Sequence, residues 1–415
     1  MLRYWVWLST RKAIGRAGML AALRHFGTPE AVYLADEQSL REVEGLRKTE
    51  SLLDKDLTQT DRILNDCYRL NIHILTWQDA QYPQRLRNIP DPPVLLYYQG
   101  TFPAVDSELI IAMVGTRRAS VYGMIQAKQL GNELGRYGAI VASGGAEGID
   151  TMALRGALGS GKAVIAVLGG GHDRLYPAKN RELFADVRAH GCLLSEYPPG
   201  TPPLGEHFPV RNRILSGLCN GTLVVEAPIK SGARNTASHA LDQGRDVFAI
   251  PANVGTATCA GNMQLLKEGA ILVEEGWDVI REYVHLFPQL VSRQQGLIRL
   301  SLTREEAAAA AEETDVQTGI VAEKPQKSNG QFDRKIVDKP ETKAYIDVHE
   351  ILDTVSADEK ILLRILQDGP TQIDDLIDDS QIAANRVLAA LTLLEVKGYA
   401  QKLPGGMASL AEEKS

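Results

Sequence analysis

The chain has only four cysteines in 415 residues (Cys67, Cys192, Cys219 and Cys259), and no two stand at metal-ligand spacing. That excludes a local zinc clamp and a disulfide framework, and it points to a reducing compartment. No run of about 18 apolar residues occurs, so no membrane-spanning helix is expected. The N-terminal apolar run Tyr4–Leu8 is too short for the core of a signal peptide. A cytoplasmic protein is expected, with no metal and no cofactor. Basic residues are not in excess: 45 Lys and Arg stand against 52 Asp and Glu, a net charge of -7. A uniformly basic nucleic-acid binder is thereby excluded, but a local basic crevice is not. The 44% hydrophobic and 23% charged content is that of ordinary globular protein. The length leaves room for more than one domain, at about 100–200 residues each.

What is present is crowded between Gly115 and Gly269. Short apolar runs there each end in a glycine-rich or basic loop. Such runs predict parallel strands buried on both faces, near 108–114, 139–142, 163–168, 192–196, 222–227, 246–250 and 271–273. Helical segments are predicted between them at 122–136, 149–158, 179–189, 211–219, 235–243 and 261–268, with Gly138, Gly191, Gly244 and Gly269 at C-caps. Strict strand–helix alternation specifies an α/β fold, a Rossmann-like doubly wound parallel sheet. Loops at the carboxyl ends of its strands line the ligand crevice.

Three further regions flank this core. Residues 1–75 read as helices: Leu20, Leu23 and Phe26 mark one, Gly27 stops it, and Thr28-Pro29-Glu30 starts the next. A third holds Leu40 and Val43 before Gly45-Leu46, a turn that fits either a packing module or a helix-hairpin-helix. Residues 80–290 hold the core, opened by a Pro-rich connector and the strand Val94–Tyr98. Residues 294–344, with the run Ala307–Ala311 among glutamates, read as a flexible linker. Residues 345–415 read as a winged helix of three helices and a hairpin around Pro404-Gly405-Gly406.

The loops carry the chemistry. Gly156–Ala163 nearly matches a P-loop, but a helix precedes it, a strand follows it, and Ala163 stands where magnesium binding needs a hydroxyl. Arg117 and Arg118, before Ser120 at a helix start, suit phosphate contact. Ser143-Gly144-Gly145 between a strand and a helix suits a backbone anion nest, with Asp150 as a helix-dipole partner. Lys179 and Asn180 open another helix. His172 and Asp173 lack a nucleophile nearby in sequence, so no catalytic residue is expected. Arg211, Asn212 and Arg213 follow Phe208, pairing two bidentate phosphate grips with a ring that can stack on a base. Lys230, Ser231, Gly232 and Arg234 precede a further helix. Together these cations predict a long positive strip, which suits a single-stranded nucleic-acid backbone better than one phosphate.

These motifs resemble the DNA-processing protein A family (DprA, also called Smf). The matching runs are Val114–Arg117, Ser143–Asp150, Gly171–Asn180, Ser195-Glu196, Phe208–Arg213, Val225–Ala227, Ser231-Gly232, Gly244–Ala249 and Gly261-Asn262. Tyr82-Pro83 and Pro92-Pro93 fit as well. The resemblance covers about residues 80–285, and the helical (SAM/HhH-like) N-terminal module and the winged helix resemble appended domains of some members. It implies a non-enzyme that binds single-stranded DNA, shields it from nucleases, helps load the RecA recombinase in natural transformation, and forms a homodimer through the core. It also implies phosphate binding by Arg117, Gly144, Gly145, Lys179, Arg211, Asn212 and Arg213. Pro251-Ala252 departs from the usual Pro-Gly, and Arg234-Asn235 from a more apolar pair.

A nucleotide phosphoribohydrolase of the "lonely guy" type is the alternative on a similar core. It needs a catalytic acid after the loop Ser231–Thr236, where this chain has Ala237-Ser238-His239. Glu196 and Glu226, at strand ends, are the carboxylates that could substitute. The winged helix, with five basic against eight acidic side chains in 357–410, is expected to read DNA poorly and to suit protein interaction or autoregulation.

Overall fold

Strands apolar at every position need two cores, and this sheet has two. In the computed structural model Ile111 and Met113 face one core while Ile110, Ala112 and Val114 face the other. The described residues are 1–291 except 47, residue 293, and 355–411 except 368–370, 381, 383, 398 and 404–406. The chain divides into two units, Met1–Ile320 and Val321–Ser415.

The first unit begins with six helices: α1 (Leu2–Thr10), α2 (Gly15–Phe26), α3 (Pro29–Leu34), α4 (Glu37–Arg41), α5 (Glu50–Leu53) and α6 (Thr58–Arg69). Thr28 caps α3 by accepting from the Ala31 N–H at 3.1 Å, and Pro29 sits at its first position, as the sequence predicts. The third predicted helix is a single turn, α4, ending before Val43. These helices are not free of the sheet. They share a core with Leu95 and Tyr97.

Then follow β1 (His73–Thr76), α7 (Gln84–Arg87), β2 (Leu95–Gly100), β3 (Ile110–Gly115), α8 (Val121–Tyr137), β4 (Ile140–Ser143), α9 (Ile149–Gly159), β5 (Val164–Leu168), α10 (Arg181–His190), β6 (Cys192–Ser195), α11 (His207–Leu218), β7 (Gly221–Glu226), α12 (Gly232–Asp242), β8 (Asp246–Ala249), α13 (Ala260–Lys267), β9 (Ile271–Leu272) and α14 (Gly276–Ile280). All seven predicted core strands are present. The sheet order is β1-β2-β6-β5-β4-β3-β7-β8-β9. From β6 to β9 every pairing is parallel. The β1 and β2 strands add an antiparallel edge. The order reverses at β3: successive strands step one way to β6, and then β7 to β9 lie on the other side. That switch point opens a crevice at the strand ends.

Two glycines show different causes. Gly138 closes α8 in the left-handed conformation, φ 103°. Gly191, expected as a similar cap, is extended (φ -172°), and a Cβ there would overlap the Val164 carbonyl. The P-loop look-alike is a helix-to-strand turn, and its Lys162 pairs with Glu108 at 2.8 Å. Four cysteines are free and buried.

The second unit holds α15 (Ala357–Leu366), β10 (Thr371–Gln372), α16 (Ile373–Ser380), α17 (Ala384–Val396), β11 (Ala400–Leu403) and β12 (Met407–Leu410). Its sheet order, β10-β12-β11, and its three helices make a winged helix. Ser356 and Glu359 form a capping box at α15. The predicted linker 294–344 and the turn Pro404-Gly405-Gly406 lie outside the described residues. Among the described residues no helix is long and apolar enough to cross a membrane.

Candidate nucleic-acid interface

The crevice at the switch point has a volume of about 470 Å³. The loop after β3 supplies Thr116, Arg117 and Arg118; the loop after β7 supplies Lys230 and Ser231; the first turns of α11 supply Phe208, Arg211 and Asn212. Arg117, Arg118 and Lys230 are exposed and make no ion pair among the described residues. Their charge is therefore available to a ligand. Two guanidinium groups lie near the Phe208 ring, that of Arg117 at 5.4 Å and that of Arg211 at 5.9 Å from its centroid. Tyr176, half exposed, stands 5.8 Å from the same ring. Tyr176 is not among the residues expected at the site. Its signals in the sequence are a position in the loop after β5 and membership of the matching run Gly171–Asn180.

Several expected contacts turn out to be internal supports. The glycine turn after β4 was expected to hold a ligand anion. It holds the chain's own carboxylate instead: Asp150 Oδ2 accepts from the Ala146 N–H at 3.3 Å, and backbone N–H groups of Gly144 and Gly115 also favour it. Burial pushes the Asp150 carboxyl above its ordinary range, and Arg211 opposes that shift. Burial likewise pulls Arg211 down to about 10, with Asp150 opposing, so the guanidinium stays charged at neutral pH. Arg211 donates to the Val167 carbonyl and is only 5% exposed. A Cβ at Gly144 would overlap that guanidinium, which explains the glycine.

Ser143 is fully buried and donates to the Met113 carbonyl at 2.7 Å. Asn180 is buried and braces the glycine turn through the Gly145 carbonyl at 3.0 Å and Thr151 at 2.8 Å. Ser120 caps α8: its hydroxyl accepts from the Gly123 N–H at 3.0 Å and donates to Glu226 Oε2 at 2.9 Å. Asn212 ties α11 to α12 through Asn235 and the Gly232 carbonyl.

The positive strip is shorter than expected because two of its cations, Arg213 and Arg234, are paired, and a third, Lys179, stands outside the crevice. Arg213 is buried, bound to both Glu196 oxygens at 2.6 and 2.7 Å and to Asp91 at 3.2 Å, and it does not line the crevice. Its acids lie far from it in sequence, so nothing local signalled this. Arg234 pairs with Glu268 at 3.2 Å, away from the crevice. Lys179 stands outside the lining, 81% exposed and 3.6 Å from Glu147, a weak surface pair that leaves its charge usable. Ser231 caps α12 by accepting from the Arg234 N–H at 3.3 Å, so the helix N-terminus faces the crevice.

The acids considered for hydrolysis are also engaged. Glu196 is held by Arg213, and Glu226 is 1% exposed and holds Ser120. Among the described residues, Asp150 alone of the carboxylates lines the crevice. His172 is buried with Nε2 against the Leu193 carbonyl at 3.1 Å, and burial lowers it to about 4. No group of three His, Cys, Asp or Glu among the described residues is arranged to hold a metal.

Residues 73–284 match the family described as DNA recombination-mediator protein A, and residues 350–406 match the DprA winged helix domain. The chain is 31% identical over 410 residues to Protein Smf of Synechocystis sp., covering 97% of each chain. It is 42% identical over 209 residues to DNA processing protein DprA of Streptococcus pneumoniae, covering 49% of this chain and 72% of that one. The X-ray structure of DprA from Streptococcus pneumoniae superposes with a TM-score of 0.61 at 32% identity, covering 68% of this chain and 98% of that one. Fold, domain content and sequence thus place this chain in the DNA recombination-mediator protein A family, the DprA/Smf proteins.

Proposed function

We propose that this protein binds single-stranded DNA in the switch-point crevice, shields it from nucleases and helps load RecA recombinase onto it, acting as a homodimer through the α/β core. One observation carries the binding step: Arg117, Arg118 and Lys230 line the crevice with no ion pair among the described residues, and the Phe208 ring stands beside the Arg117 guanidinium. Exposed cations meet successive phosphates, and the ring takes a base that a duplex would keep stacked. Asp150, Arg211, Ser120, Asn180 and Asn212 hold the walls in place. Lys179 extends the positive surface beyond the crevice. The family's description as a recombination mediator supports the transfer to a recombinase.

Hydrolysis of a nucleotide is the weaker reading. Glycosidic cleavage commonly uses two carboxyl groups, and the crevice presents one, opposite a buried guanidinium. Fluorescence anisotropy of a labelled oligo-dT strand, with a duplex of equal length as control, tests the proposal. Tight, salt-sensitive binding that prefers the single strand is expected. Equal affinity for duplex, or no binding at low salt, would contradict it.

A further inference from the structure

A cleft of about 800 Å³, larger than the crevice, lies between the N-terminal helices and the loop after β6. The two cavities share a wall. At the start of α11, Gly205, Phe208 and Pro209 line the crevice, while Glu206, His207 and Val210 line the cleft. A chain leaving the crevice past Phe208 therefore meets the cleft one residue away.

The cleft wall is an aromatic platform. The Tyr197 and His207 rings stack with centroids 4.1 Å apart and planes at 21°. His207 Nδ1 lies 3.1 Å from the Gly169 carbonyl, and the Tyr197 backbone N–H donates to Ser195 Oγ at 3.0 Å. Both residues are half-buried, as a surface that adds one more flat layer requires. The opposite wall carries cations. Arg16 on α2 is 35% exposed and steadied by Asp91 at 2.7 Å, and Arg62 on α6 is exposed with no ion pair among the described residues. Of the acids lining the cleft, Glu196 is held by Arg213, Asp66 makes a surface pair with Arg69, and Glu206 is exposed.

We propose that this cleft is a second station for the same single strand: a base stacks on the Tyr197–His207 pair, and Arg62 meets a flanking phosphate. This rests on the single-strand reading of the crevice. The N-terminal helices then enlarge the binding surface instead of only packing against it.

The test uses the full chain with labelled oligo-dT of about six and about sixteen nucleotides, lengths within the range one such groove covers. Tyr197→Leu and Arg62→Glu are compared with the parent protein. Arg62→Glu changes an exposed side chain on α6, so it does not depend on Tyr197→Leu folding. The short strand should bind all three proteins alike, and the long strand should lose about tenfold or more in the variants. Equal losses on both lengths, or no loss on either, overturn the cleft. Failure of the parent protein to bind either length overturns the single-strand reading itself.

Discussion

Arg117 and Arg118 after β3, and Arg386 and Lys397 on and just beyond the third helix of the winged fold, all stand where a nucleic-acid binder places its cations. Their surroundings differ. Arg117 and Arg118 are exposed and make no ion pair among the described residues, and Phe208 lies beside Arg117. Arg386 is bound by Asp358 at 2.7 Å and Lys397 by Glu359 at 2.8 Å, both acids of α15. On the outer face of α17 the exposed Leu388 and Leu393 stand where a DNA reader needs polar groups. A cation recognises a phosphate only when its charge is not already answered within the fold. Arg213 repeats the lesson inside the α/β unit.

That contrast can be broken or sharpened, beginning with the largest effect. Arg213→Ala leaves Glu196 without its cation, while Asp91 keeps Arg16, and should lower stability by about 3 kcal/mol in chemical denaturation, with the salt slope of DNA binding unchanged. A reduced slope with stability intact would put Arg213 on the DNA. His172 extends the divide between buried and available groups. The folded chain holds it neutral to about pH 4, against 6.5 when unfolded, with Asp173 and Arg188 as minor influences. Its contribution is therefore complete above pH 6.5 and is lost as pH falls toward 4, roughly 3 kcal/mol in all. His172→Asn should flatten the decline in melting temperature over that window, and an unchanged profile would assign the decline to other groups. Phe208→Ala should weaken single-strand binding by about 1–3 kcal/mol with little change in salt slope, because it removes stacking and no charge. Deleting 345–415 should leave affinity within about a few-fold. A large loss in that deletion would show that the winged helix reaches DNA despite its paired cations.

The sheet was legible because strands buried on both faces leave apolar runs that need no partner to recognise. The edge was not. The β1 strand is four residues long and starts exposed, so it reads as the tail of a helical region. Nor does an apolar run reveal that β2 lies antiparallel. The start of α11 was placed four residues late, after Pro209. Proline is tolerated in a first turn, and the helix begins at His207. Of the exposed loop cations expected at the site, Arg117, Arg118 and Lys230 line the crevice, since loops at strand ends of a doubly wound sheet converge there, while Lys179 stands outside it. The buried ones misled. Arg213 pairs with Asp91 and Glu196, and the glycine turn holds Asp150, and no local pattern reveals these internal partners.

The most direct test is the salt dependence of oligo-dT affinity for Arg117→Ala/Arg118→Ala, measured beside the parent protein. The account predicts weaker binding and a slope reduced by about 0.7 for each phosphate that the two arginines no longer neutralise. An unchanged slope with unchanged affinity would contradict it and move the DNA away from the crevice.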